Sequence, residues 1–207
     1  MKKVFSLILI TCGLILSTIQ VAQANDGNPV DMLKSVADKM IDGLRVNKAT
    51  LKTNPAFVYS LAYKIVVPHA DLSEMSKRVL PPQTWNKATS SQRAKFEGEF
   101  TKLLVRTYAS ALSDYSNQQV EIYPVRGGYQ GKSVISVSSQ IIRSDGPAVA
   151  VNYRLISKSS GWKLFDMSVE GISLLESFRS QFADKLSQGN IDDLIRDLVQ
   201  HNSRSGA

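Results

Sequence analysis

The chain has 207 residues, 25 Lys and Arg against 18 Asp and Glu, a formal charge of +7, and a single cysteine, Cys12. Its basic residues are scattered, with no run dense enough to track a nucleic-acid backbone, so the charge reads as a solvated surface. One cysteine excludes an internal disulfide framework, and the length suits one domain with a sizeable apolar core.

Lys2 and Lys3 precede an uncharged apolar run from Val4 to Ala22, and Ala22-Gln23-Ala24 places small residues where a signal peptidase reads. Residues 1–24 are therefore expected to be a secretory signal peptide, cleaved after Ala24. The run is nearly long enough to span a bilayer, but the Ala-x-Ala site and the polar Asn25-Asp26-Gly27-Asn28 argue against an uncleaved anchor. Cys12 follows Thr11 and precedes more apolar sequence, a poor context for lipidation. Cleavage would remove Cys12, Lys2 and Lys3, leaving 183 residues at a charge of +5 with no thiol for catalysis, disulfides or metal. A secreted chain of this size without cysteine fits the bacterial periplasm.

Residues 25–201 are expected to form one domain and 202–207 a disordered tail. Asn28-Pro29 predicts a capped helix start, and Met32, Leu33, Val36, Met40, Ile41 and Leu44 follow helical spacing. A polar turn is expected over 47–54. Asn54-Pro55 opens a second stripe through Phe57, Val58, Leu61, Ala62 and Ile65, and Asp71-Leu72-Ser73-Glu74 opens a third helix that Pro81-Pro82 ends. Trp85 and Ala88 fall in a connection.

The longest helical pattern runs from Thr89 to Tyr115. Phe96, Phe100, Leu103, Leu104, Tyr108, Ala111, Leu112 and Tyr115 form one apolar stripe. Thr89 and Gln92 make a capping box, in which each side chain satisfies a backbone N–H at the helix start.

After Ser116 the period changes to two. Strands are expected over 120–125, 133–143, 148–157 and 162–169, separated by Gly127-Gly128, Asp145-Gly146-Pro147 and Ser159-Ser160-Gly161. Two helical patterns close the chain, one with Leu174, Leu175, Phe178, Phe182 and Leu186 stopping at Gly189, the other with Ile191, Leu194, Ile195, Leu198 and Val199. The order of elements predicts an α+β domain: a strongly curved antiparallel meander of three to four strands with helices packed on its concave face.

Groups suited to catalysis are few. His69 and His201 are the two histidines, and no spacing matches a zinc site, a nucleophile elbow, a phosphate loop or a dinucleotide fingerprint. Asp166 and Glu170 are the one pair of carboxylates placed to act as a general base beside an apolar pocket. Tyr59, Tyr63, Tyr108 and Tyr153 are available to hydrogen-bond an oxyanion. Against this, Asp166 on the polar face and Glu170 at a helix start also read as surface and capping groups.

An ordered set of motifs carries more information. Pro68-His69-Ala70-Asp71, Trp85, Ala88-Thr89-Ser90-Ser91-Gln92-Arg93, Phe96, Phe100, Leu103-Leu104-Val105-Arg106-Thr107-Tyr108-Ala109, then Trp162-Lys163-Leu164-Phe165-Asp166-Met167-Ser168-Val169-Glu170-Gly171-Ile172-Ser173 and Phe178-Arg179-Ser180-Gln181-Phe182 occur in sequence. Together they resemble the toluene-tolerance family of periplasmic phospholipid-binding proteins across nearly the whole mature chain. Pro81-Pro82 departs from the flexible pair expected there.

The resemblance implies a non-enzymatic periplasmic carrier with no cofactor, holding a phospholipid as cargo by its acyl chains. It further implies exchange with an outer-membrane lipoprotein–porin complex and with an inner-membrane complex of an MCE protein and an ABC transporter, keeping phospholipid out of the outer leaflet. Exposing two acyl chains to water costs roughly 20 kcal/mol at about 0.8 kcal/mol per CH₂, so such a carrier must enclose them. The expected walls are Ile135, Val137, Val149, Val151, Tyr153, Phe165, Met167 and Val169 on the strands, opposed by Phe100, Leu104 and Tyr108. The same residues also suit a plain core.

Overall fold

The structure, a computed structural model, describes residues 27–109, 118–143 and 146–204. The expected signal peptide, the stripe residues Ala111, Leu112 and Tyr115, and Asp145 of one expected turn lie outside them. Eight α-helices and five strands occur among the described residues.

Helix α1 spans Pro29–Val46, and the Asn28 side chain accepts from the Val30 N–H as its cap. Helix α2, Lys48–Thr53, occupies the expected polar turn; it buries no residue, so it left no apolar period in the sequence. Helix α3 spans Phe57–Ile65, and a 3₁₀ turn follows at Val67–His69. Helix α4, Leu72–Val79, is capped by Asp71, whose carboxylate accepts from the Glu74 N–H at 3.0 Å. Pro81 holds the preceding Leu80 extended and so ends α4, and Pro82 starts helix α5, Pro82–Lys87, because proline at the first helical position lacks only an N–H that would be unpaired there.

Helix α6 runs Ser90–Ala109, and the capping box is formed: Thr89 N–H donates to Gln92 Oε1 at 2.9 Å, and Gln92 N–H to Thr89 Oγ1 at 3.2 Å. Strands β1 (Gln119–Ile122), β2 (Val134–Ile142), β3 (Val149–Lys158), β4 (Gly161–Val169) and β5 (Ile172–Ser173) form one antiparallel meander in chain order. The α+β class and the meander match expectation, and the two-residue β5 extends it to five strands. The β4–β5 hairpin turns on Glu170 (φ 50°) and Gly171 (φ 82°), the paired positive φ values of a tight two-residue loop.

Helices α7 (Leu174–Gln188) and α8 (Ile191–Arg204) close the fold. The expectation of a disordered tail from Asn202 is corrected by α8, which continues to Arg204. Asn202 is buried and donates to Glu99 O (3.0 Å) and Glu99 Oε2 (2.8 Å), while Arg106 donates to its carbonyl. A polar residue with no apolar period gave no sign of this anchorage. At the join, Gly189 is extended; a Cβ there would stand 2.8 Å from Asp193 Oδ2, the oxygen that accepts the Asn190 N–H.

The core divides into three apolar clusters. The largest joins α4, α6, α7 and α8 around Phe96, Phe100, Phe178 and Phe182, with Phe165 from β4. A second packs Val30 and Leu33 of α1 on Ile122, Ile135, Val137, Leu155 and Trp162. A third joins α1 and α3 with Val105 and Ala109 of α6. Helix α6 therefore buries two sides, one against α7 and α8 and the other against α1 and α3.

Candidate functional site

Residues two apart on a strand share a face, and the pairing carries that face from strand to strand. Val137, Tyr153 and Met167 stand in one cross-strand row, and Ser139, Val151 and Val169 in the next, with Ile141 and Val149 beyond. At the Ile135 and Val137 end, α1 covers this face and makes ordinary core. Val149, Val151, Met167 and Val169 belong to none of the three clusters, although Val151 is 2% exposed and the others are half-buried. This is a contiguous apolar surface, withdrawn from water but outside the packed clusters.

One polar pair interrupts it. Ser139 is buried; its Oγ donates to the Val151 carbonyl at 3.3 Å and lies 3.4 Å from the Tyr153 hydroxyl. Burial raises the Tyr153 pKa above its ordinary value, against the opposing pull of the Ser139 hydrogen bond, so the phenol is neutral at physiological pH. The period of β2 places Ser139 on the apolar face, but nothing in the sequence pairs it with Tyr153.

Phe165 leaves the row expected for it. The β3–β4 register shifts between Arg154 and Leu155, so Arg154 pairs with Asp166 and Leu155 with Leu164. Phe165 is the extra residue of this bulge, and its fully buried ring joins the helical cluster. Phe100 is also core: its ring centroid lies 5.6 Å from Phe96, 5.5 Å from Phe178 and 5.6 Å from Phe182. The stripe of α6 thus meets α7 and α8, where the sheet was the expected partner. Leu104 and Tyr108 are half-buried at the margin of that cluster, with Tyr108 edge-on to Phe178 at 6.3 Å. Burial raises the Tyr108 pKa.

The two carboxylates sit in different surroundings. Asp166 is 2% exposed, which corrects its expected place on the solvent side. Its Oδ1 accepts from the N–H groups of Met167 (2.8 Å) and Leu175 (3.2 Å), and its Oδ2 from the Ser173 hydroxyl (2.9 Å). Both oxygens are occupied in holding the start of α7 against β4. Glu170 is exposed, and its carboxylate accepts the N–H of Ala150 on the neighbouring β3.

The Pro68-His69-Ala70-Asp71 segment ties the helices to the sheet. Ala70 bridges Leu164 in parallel, Asp71 N–H donates to Leu164 O at 2.7 Å, Lys163 donates to Pro68 O at 2.7 Å, and Lys158 pairs with Asp71 at 2.8 Å. Burial opposes the Asp71 charge, but the Lys158 hydrogen bond, the Glu74 N–H and the nearby lysine charges outweigh it and hold its pKa below the ordinary value. His69 is lowered by burial and by Lys163 and Lys39. No group of three or more potential metal ligands occurs among the described residues, and no described helix is long and apolar enough to cross a membrane.

Residues 34–200 match the family model described as MlaC protein. The chain belongs to the MlaC family. Its relatives include the toluene tolerance protein ttg2D of Pseudomonas putida, 30% identical over 170 residues that span 82% of this chain and 78% of that protein. The intermembrane phospholipid transport system binding protein MlaC of Haemophilus influenzae is 29% identical over 181 residues, 86% of this chain and 83% of that one. Among solved structures, the phospholipid-binding protein of Ralstonia solanacearum, in complex with a phospholipid, superposes with a TM-score of 0.80 at 27% identity. The match covers 87% of this chain and all of the other. Family membership agrees with the resemblance carried by the ordered motifs.

Proposed function

We propose that this chain is a periplasmic phospholipid carrier that encloses acyl chains against the sheet face bearing Val149, Val151, Tyr153, Met167 and Val169. The observation that carries the reading is that contiguous, largely buried apolar surface, whose Val149, Val151, Met167 and Val169 lie outside every packed cluster, in a fold that superposes on a phospholipid-bound relative. From α6, Leu104 and Tyr108, half-buried at the margin of the helical cluster, would take part, with Phe100 and Phe165 in the core behind them. The leader 1–24 would deliver the chain to the periplasm. There it would accept and donate phospholipid between an outer-membrane lipoprotein–porin complex and an inner-membrane complex of an MCE protein and an ABC transporter, the two ends of the Mla pathway, and so keep the outer leaflet free of phospholipid. The apolar chains need burial alone, a role that asks for no catalytic group or metal.

Solvent extraction and mass spectrometry of the purified mature protein test this. The expected result is stoichiometric phospholipid, reduced at least about tenfold in Val151→Glu, because a carboxylate in an apolar cavity costs several kcal/mol. Circular dichroism separates loss of lipid from loss of fold. A folded wild-type protein that neither carries lipid nor takes it up from donor vesicles would refute the carrier reading.

A further inference from the structure

Across the sheet from the apolar row lies a different surface. Arg154 and Asp166 pair on the face opposite Tyr153 and Met167, and there they line a cleft of about 420 Å³ with Lys77, Arg78, Glu176 and Arg179. Helices α4, α5 and α7 and strands β3 and β4 build it. Arg78 is paired with Glu74, and the other three cations keep free donors. The Arg78 and Arg154 guanidinium carbons lie 4.5 and 4.8 Å from the centroid of the Phe165 ring, which is fully buried, so cation–π contact orients both groups over one platform.

Arg154 is 3.7 Å from Asp166, beyond hydrogen-bond distance, and the Asp166 oxygens already accept from Met167, Leu175 and Ser173. Arg179 is 3.5 Å from Glu176, and both are exposed. No partner within hydrogen-bond distance is recorded for Lys77 among the described residues. Three cations of four thus present unspent N–H groups to one concavity. The carboxylates do not fill it: Asp166 is buried, and Glu74 is engaged by Arg78 at 2.6 Å.

Convergent guanidinium forks and a lysine suit an anion that accepts hydrogen bonds from several directions, the geometry of a phosphoryl group. A bare phosphate would leave most of the cleft empty, whereas a phosphodiester on a small polar body would fill more of it. The exposed Glu176 is available to an ammonium on that body. We propose that this cleft is a second binding site, for the phosphoryl group of a glycerophosphodiester, separate from the acyl-chain face. The group could arrive on a free water-soluble diester or on a phospholipid head group at a membrane surface, and the chemistry of recognition is the same.

The test titrates lipid-free mature protein with glycerophosphoethanolamine and, separately, inorganic phosphate, following backbone amides by NMR. The expected result is saturable binding that perturbs residues 74–86 and 174–179, weakened at least about tenfold in Arg154→Gln/Arg179→Gln. Lys77→Gln, which removes no recorded contact, is expected to weaken binding in the same direction and guards against misfolding of the double variant. Absence of saturable shifts in the cleft, or binding unchanged in both variants, would overturn the proposal. Vesicles containing phosphatidylglycerol then identify the source: displacement of the diester assigns the site to a membrane head group, and no displacement assigns it to a free molecule. Acyl-lipid content measured by extraction on the same variants is expected to stay stoichiometric, so failure of the cleft and failure of the carrier reading are told apart.

Discussion

Asp166 illustrates how one side chain can look functional and be structural. Replacing it with alanine removes the acceptor for the buried Leu175 N–H and for the Ser173 hydroxyl. Asp166→Ala is expected to cost about 1–3 kcal/mol in urea unfolding, the range for a buried donor left without a partner. Asp71 and Lys158 set a pH dependence. The Asp71 pKa is depressed in the fold, so its contribution is present above the ordinary carboxylate range, about 3.9, and is lost as pH falls through the lower folded value. The Lys158 pKa is raised, chiefly by the Asp71 hydrogen bond, so that part is complete below about 10.4 and is lost as pH rises through the higher folded value. Unfolding of Asp71→Asn measured across pH is expected to show a smaller acid-side loss than the parent. Glu170 keeps a left-handed backbone that costs on the order of 1–3 kcal/mol for a non-glycine residue, offset by its carboxylate's bond to Ala150.

Helix α6 is the element on which the packing turns. Its Phe96–Phe100–Leu103 side was evident from spacing, and the structure buries it; the second side, Thr101, Val105 and Ala109, was hidden because a threonine and an alanine carry little apolar signal. Phe100→Ala is expected to destabilise by about 3–5 kcal/mol, the cost of an aromatic-sized cavity. It should leave the lipid content of the folded fraction unchanged, measured by denaturant unfolding and extraction on one preparation, since Phe100 faces Phe178 and Phe182 rather than the sheet. The bulge in β4 has a similar effect on a single residue. Strict alternation places Phe165 beside Met167 and Val169, and one extra residue in the ladder sends it to the helices instead.

For the whole molecule, enclosed lipid stabilises the fold that encloses it. A ligand that binds only the folded state adds about 2.7 kcal/mol at a hundredfold excess over its dissociation constant. Lipid-stripped protein is therefore expected to melt below the loaded form in differential scanning calorimetry, and donor vesicles should restore the higher melting temperature. No such restoration is expected for Val151→Glu. Local chemistry alone determined much of this protein: the caps at Asn28, Asp71 and Thr89, the change from helical to two-residue period, the meander and the α+β class. Each is signalled by residues close together in the chain, which a sequence displays directly. The tertiary structure decided which apolar stripe meets which. Core and cavity wall use the same side chains at the same spacing, so only the packed arrangement separates Phe100, surrounded by rings, and Phe165, buried in the same cluster, from Val151 and Met167, which lie outside the clusters. The same holds for the cationic cleft, whose members come from α4, β3 and α7 and converge only when the chain is folded.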